Sequence, residues 1–346
     1  MDSDEGDPLN ELLFNKSIDR VKSLGLFKKV DTKIYEGSNK NLKVVDIIVE
    51  EQPTGEISLA AGVGTSGSTI GGGITEKNFL GKGINLNTLL EISENKIKGQ
   101  FIYSKPNFNY TDNTLFTSIK STSTDRLSDF GYETSDLGIS IGTRFEQYEN
   151  LFFSPELDFS LEDLKTDSTA SSQMKKQAGN YEDFYFNYGL DYDLRDSTYR
   201  PSSGSKTAFY QTLPLVSTNN EIKNTLVLTQ YKKLNKETDM IGKASLYLSA
   251  VNSIDNSDVR ISKRNNVPYS RLRGFEAGKV GPKDGDDYVG GNYVSTLNLS
   301  TNLPGILSSL ENIDFSYFID FANVWGVDYD SSIDQSNSIR SSTGIG

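Results

Sequence analysis

Along most of the chain, apolar and polar residues alternate with a period of two. In 183–194, Phe184, Phe186, Tyr188, Leu190, Tyr192 and Leu194 hold the even positions, while Asp183, Asn187, Gly189, Asp191 and Asp193 fall on odd ones. Segment 151–162 sets Leu151, Phe153, Pro155, Leu157, Phe159 and Leu161 against Ser154, Glu156, Asp158, Ser160 and Glu162. Ala244, Leu246, Leu248 and Ala250 alternate with Lys243, Ser245, Tyr247 and Ser249, and Ile313, Phe315, Tyr317, Ile319 and Phe321 with Asp314, Ser316 and Asp320. Side chains of a strand point to opposite faces in turn, so this pattern predicts strands with one apolar and one polar face. From residue 53 onward the pattern predicts about thirteen such strands, separated by Gly/Asn/Asp/Ser clusters, with a further strand opening at 339–346.

The first fifty residues read differently. Pro8 follows Asp7, Phe14, Ile18, Val21 and Leu24 recur at helical spacing, and Gly25 can supply the terminating turn, which predicts a helix over 8–24. Segments 26–36 and 42–50 are strand-like and joined by Gly37, Ser38 and Asn39. The result is a helix-strand-strand unit too small to bury its own helix well.

Strand length decides between two all-β readings. The alternating segments run to about 9–13 residues, beyond the ~5–6 usual in soluble sheets and near the ~9–11 that a tilted transmembrane strand needs. Composition points the same way: apolar residues make up only 35% of the chain, yet it holds 18 Tyr, 18 Phe and 30 Gly. A soluble sandwich of this size would need more apolar filling, and a disordered chain would be poor in aromatics. A barrel with apolar residues facing lipid and polar residues facing a wet lumen accommodates both facts. No stretch of 18 apolar residues predicts a transmembrane helix, and the acidic start MDSDEGDPLNELLF has no secretory-signal pattern, so either the protein stays inside or the chain is a fragment.

Charge and missing residue types remove several chemistries. With no His and no Cys, a structural zinc site, thiolate catalysis, His-ligated haem and a Ser-His-Asp triad lack their atoms. With 47 Asp+Glu against 35 Lys+Arg, a net charge of -12 opposes nucleic-acid binding. GTSGSTIGGG at 64–73 lacks the Lys-Ser/Thr and following helix of a phosphate loop. Asp193, Arg195 and Asp196 are read as strand-end charges in a hairpin, not as a metal or acid/base site.

One connection is long. Nearly forty residues separate the strands ending near 251 and beginning near 290, and they carry Leu272-Arg273-Gly274-Phe275, then Gly281-Pro282, then Gly290-Gly291-Asn292. Loops of that length are usually functional. In order and spacing these motifs resemble the sixth extracellular loop of the BamA family of outer-membrane assembly proteins. The likeness extends to SIDRVKSLGLFKKV and VDIIVEEQPTG in the N-terminal unit, NFLGKG at 78–83, DLRDSTYRPSSG at 193–204, FIDFANVW at 318–325 and IRSSTGIG at 339–346.

The resemblance implies an all-β transmembrane antiparallel barrel of a 16-stranded family, lacking its last strands, over 53–346, preceded at 1–52 by the C-terminal part of an α+β POTRA domain. It implies a fragment cut at both ends whose barrel is not closed. The implied activity is non-enzymatic: insertion of β-barrel proteins into the outer membrane of Gram-negative bacteria, with the POTRA part in the periplasm and no cofactor or metal. Implied partners are unfolded outer-membrane clients, accessory assembly lipoproteins, periplasmic chaperones and outer-membrane lipid. Alternatives are a two-partner-secretion or translocation-and-assembly transporter and a passive porin-like channel.

The resemblance also implies a loop lock. Arg273 would reach an inner-wall carboxylate, for which Asp320 matches the aspartate of the family's FxDxGxVW motif, and the alternation in 313–321 independently points Asp320 inward. Gly274 would permit a tight tip, and Phe275 would pack beside the arginine. Asn298 stands where the family has a second acid, and Ala322 where it has a glycine, so one carboxylate would hold the loop, and Glu at 298 would be expected to strengthen docking. The first strand, GEISLAAGVG, and its neighbour GSTIGGGITE are glycine-rich and correspond to the family's weak lateral seam. Phe184, Phe186, Leu246, Leu248, Phe315 and Ile319 are expected to face lipid, and Asp191, Ser245, Asn298 and Asp320 the lumen.

Overall fold

A computed structural model describes residues 6–23, 25–39, 42–64, 67–235, 237–304, 315–328, 333 and 338–346. Helix α1 (Glu11–Ser23) leads into the paired strands β1 (Phe27–Glu36) and β2 (Lys43–Glu51), and packs against β1. The helix begins three residues later than Pro8 predicts because Asn10 caps it: the Asn10 Oδ1 accepts from the Leu12 and Leu13 amides at 3.0 and 3.3 Å. Phe14, Ser17 and Ile18 are buried on it, and Gly25 follows it at φ +66°.

The remaining chain is dominated by one antiparallel sheet of 14 strands. Its first half contains β3 (Gly55–Gly64), β4 (Gly67–Phe79), β5 (Ile84–Ser93), β6 (Lys96–Lys105) and β7 (Thr114–Arg126). A single turn α2 (Leu127–Phe130) precedes β8 (Tyr132–Tyr148) and β9 (Leu151–Thr166), and a second, α3 (Ser172–Lys175), precedes β10 (Gly179–Asp193). Then come β11 (Gly204–Ser217), β12 (Glu221–Asn235) and β13 (Met240–Ser253). A small hairpin, β14 (Lys283–Asp284) and β15 (Asp287–Tyr288), sits within the long loop, before β16 (Tyr293–Asn302), β17 (Ser316–Trp325) and β18 (Arg340–Ile345). Every large-sheet strand pairs with its sequence neighbours, β13 pairing with β16 across the loop. β3 and β18 are the two edges and do not pair with each other, so the sheet is open.

The fourteen strands correspond closely to those legible in the alternation, while the turns α2 and α3 were not, being too short to show a helical period. Ile313 lies outside the described residues, and Phe315 precedes β17.

Polarity is inverted relative to a soluble sheet. On the outer face Leu137, Ile139 and Ile141 of β8 stand opposite Leu161, Phe159 and Leu157 of β9, and all six are exposed. The inner face is polar and largely buried. Lys120 pairs with Asp158 at 3.4 Å, and Arg144 and Lys206 meet Asp191 at 3.1 and 3.3 Å. Hydroxyls bridge neighbouring strands at Ser118–Ser140, Thr225–Ser249 and Thr229–Ser245. An exposed apolar surface of this extent marks a face that meets lipid or another protein, and a buried polar one is stable only if hydrogen-bonded. No described helix is long and apolar enough to cross a membrane.

Candidate functional site: the inward-folded loop

The loop joining β13 to β16 lies against the inner wall and is fixed there at two places. At its tip, Arg273 makes a bidentate contact with Asp320 of β17: Nε donates to Oδ2 at 2.8 Å and Nη2 to Oδ1 at 2.7 Å. The Arg273 amide adds a third donor to Oδ2 at 3.1 Å. Asp320 is fully buried and Arg273 about one-third exposed. The guanidinium carbon lies 3.6 Å from the centre of the Phe318 ring, two residues before Asp320 on the same inner face of β17.

The sequence placed an aromatic beside this arginine but chose the wrong ring. Phe275 instead packs against an apolar cluster of Val267, Leu272, Val280, Val294, Ala322 and Val324. Gly274, between the two residues, has φ +83°, which sends their side chains to different surroundings at little steric cost. Gly281 is also at positive φ, and a Cβ there would come within 2.9 Å of Val324, so the loop's return limb hugs β17.

Asn298 reaches the same carboxylate, but as a donor. It sits directly opposite Asp320 in the β16–β17 register, and its Nδ2 donates to Asp320 Oδ1 at 2.8 Å and to the Arg271 carbonyl at 2.7 Å. The expectation that a glutamate here would improve docking is therefore reversed: a carboxylate cannot donate and would face Asp320. Arg271 completes the tip, with its guanidinium 4.6 Å from the Tyr247 ring and 3.3 Å from the Ser245 hydroxyl.

The second anchor escaped the sequence reading. Arg260, near the loop's start, is fully buried and pairs with the equally buried Asp183 of β10. Its amide donates to Glu221 of β12 at 2.9 Å, and its guanidinium lies 4.1 Å from the Tyr181 ring. Lys263 meets Glu162 of β9 at 3.1 Å, and the Ser217 hydroxyl also donates to Asp183 at 2.6 Å. Arg264 pairs with Asp328 at 2.9 Å. A signal existed: the acidic chain places Arg260, Lys263, Arg264, Arg271 and Arg273 within one loop, while Glu162 and Asp183 occupy inward positions of the alternation. Below this anchor remains a polar lumenal cavity of about 430 Å³, bordered by Lys120, Asp136, Glu162, Lys223 and Lys263.

The other residues singled out in the sequence lie elsewhere. Arg195 pairs with Asp193 at 2.7 Å in the turn after β10. Asp196 accepts from Ser202 and Ser203 in the same turn; the Ser202 hydroxyl foremost, then the Ser203 amide, holds its carboxyl down at about 2. These are turn-closing contacts. Among the described residues no group of His, Cys, Asp or Glu could hold a metal ion.

An antiparallel sheet with a lipid-compatible exterior, a polar interior and a loop fastened within it defines a transmembrane β-barrel protein with an occupied lumen. Residues 78–346 match the Omp85 superfamily domain, and the chain belongs to that family of outer-membrane proteins. Its fold is similar to the crystal structure of BamA from Haemophilus ducreyi lacking POTRA domains 1-3, with a TM-score of 0.83 and 22% identity over 99% of this chain and 73% of that one. It is also similar to CdiB from Acinetobacter baumannii, with a TM-score of 0.58 and 12% identity, covering 99% of this chain and 63% of that one. For CdiB from Escherichia coli the values are 0.56 and 11%, covering 99% and 65%. At these identities the likeness is one of fold.

Proposed function

We propose that the protein inserts and assembles other β-barrel proteins in the bacterial outer membrane, without covalent chemistry and without a cofactor. The observation that carries this reading is the glycine content of the first two strands of the large sheet. Gly62 lies within β3 and Gly71, Gly72 and Gly73 within β4, and Ile57, Leu59 and Val63 are strongly exposed on β3. Interior glycines lower the cost of parting a strand from its neighbour, and a strand so parted offers its backbone edge as a template for another strand. Residues 1–52 would act as the last part of a periplasmic POTRA domain, receiving unfolded clients from chaperones and contacting accessory lipoproteins. Similarity to the BamA fold supports this assignment.

Similarity to CdiB supports a second reading, secretion of a partner protein through the lumen. The fastened loop weighs against a passive channel. Reconstitution of the complete protein in vesicles, followed by addition of a urea-unfolded barrel protein, tests the proposal: client folding should accelerate, and a cysteine on β3 should form disulfides with cysteines on a client edge strand. Unchanged folding together with export of a soluble polypeptide would replace assembly by transport.

A further inference from the structure

The outer face is not uniformly covered. Near the end of the sheet that carries the turn between β12 and β13, a groove of about 330 Å³ crosses β12, β13, β16 and β17. Its rows follow from the register: Gln230, Ala244, Leu299 and Ile319 form one, and Lys232, Gly242, Thr301 and Tyr317 the next. Gly242 and Ala244 make the floor low, while Leu299, Ile319 and Tyr317 stand along one side and Leu234 along the other. Leu234 lies over Gly242 so closely that a Cβ there would come within about 3.0 Å of it. Strands alternate in direction, so this end is also the one at which β3 begins, next to the N-terminal unit.

From this we propose that the groove binds one anionic phospholipid of the periplasmic leaflet, with an acyl chain lying over Gly242 and Ala244 and the phosphate on Lys232. The inference rests on the reading of this face as lipid-exposed. The occupant follows from charge and position. Lys232 is exposed at the mouth of the groove and has no ion-pair partner among the described residues, whereas its neighbour Lys233 is matched by Asp239 at 2.7 Å. Tyr317, whose hydroxyl accepts from Thr343 at 2.9 Å, is an aromatic at the same level, where amphipathic rings favour the headgroup boundary. An apolar furrow ending in an unmatched cation suits an acyl chain ending in a phosphate.

The test is photolabelling of the full chain in vesicles containing phosphatidylglycerol or phosphatidylcholine with a photoactivatable acyl chain, read by mass spectrometry. The expected result is labelling concentrated on 242–244, Leu299 and Ile319, stronger for phosphatidylglycerol by about fivefold, the factor to which one lysine at an anionic surface corresponds. Lys232→Glu should remove the headgroup preference, Lys232→Arg should retain it, and Ala244→Phe should abolish groove labelling while labelling at Leu297 and Phe321 persists. Heat-modifiable gel migration establishes that each variant is folded. Even labelling of all outward positions, equal labelling by the two lipids, or a cross-linked second copy over the groove would overturn the proposal. Absence of label from Leu297 and Phe321 as well would instead overturn the lipid-facing assignment itself.

Discussion

Asn298 and Asp320 face each other across β16 and β17, and the amide of one donates to the carboxylate of the other at 2.8 Å. The same carboxylate takes three donors from Arg273, so one buried acid organises the loop tip.

Asn298→Asp keeps the shape of the side chain and removes its donors. The variant should loosen the tip by about 1–3 kcal/mol, the usual cost of leaving buried polar groups unsatisfied. Limited proteolysis of the loop in the folded protein should speed up accordingly, and Asn298→Glu should behave no better than Asn298→Asp.

Arg273→Ala and Asp320→Ala should each release the tip, and the double variant should be little worse than either, because one interaction is being removed twice. Because Arg273 is partly exposed, the single effect is expected at about 1.5–3 kcal/mol, typical of hydrogen bonds to charged groups. Additive losses of loop protection in the double variant would show that the two side chains act separately.

Arg260→Met should cost more than Arg273→Ala. It strands Asp183 in a buried position, where breaking one side of an ion pair costs about 3–5 kcal/mol. Lys263 can recover part of this through its 3.8 Å approach to Asp183. The expected readout is a lower unfolding temperature of the folded barrel; Arg260→Met with Asp183→Leu should restore most of it.

The face assignment makes a depth-dependent prediction. Leu297→Arg, in the outer row formed with Leu246 and Phe321, should raise the cost of folding into vesicles by about 2–4 kcal/mol, the range for an arginine at the bilayer midplane. Thr122→Arg, beside Asp136 and Asp158 in the lumenal cavity, should fold nearly as well as the parent. Denaturant titration of folding in vesicles measures both.

The strands were legible because alternation writes the two faces directly into the sequence; Asp191, Ser245 and Asp320 fall on the inner wall, opposite Phe184, Leu246 and Ile319. The Arg273–Asp320 pairing could be reasoned out because the loop motif and the strand parity converged on it. Partner choice within the loop could not. Whether Phe275 or Phe318 lies beneath Arg273 depends on the backbone at Gly274, and the donor role of Asn298 depends on the exact register of β16 against β17. Arg260 was missed because no local pattern distinguishes a loop cation in water from one threaded into an acidic wall.

Between Arg260 and Arg273 only a short length of chain spans from β9, β10 and β12 on one side to β16 and β17 on the other. That segment works as a tie-bar: it sets the chord of the curved sheet and stiffens the half it crosses. β3 to β7 take no part in either anchor among the described residues, and β3 and β4 are rich in glycine. Elastic strain imposed on the barrel wall is therefore channelled toward the untied, glycine-rich half.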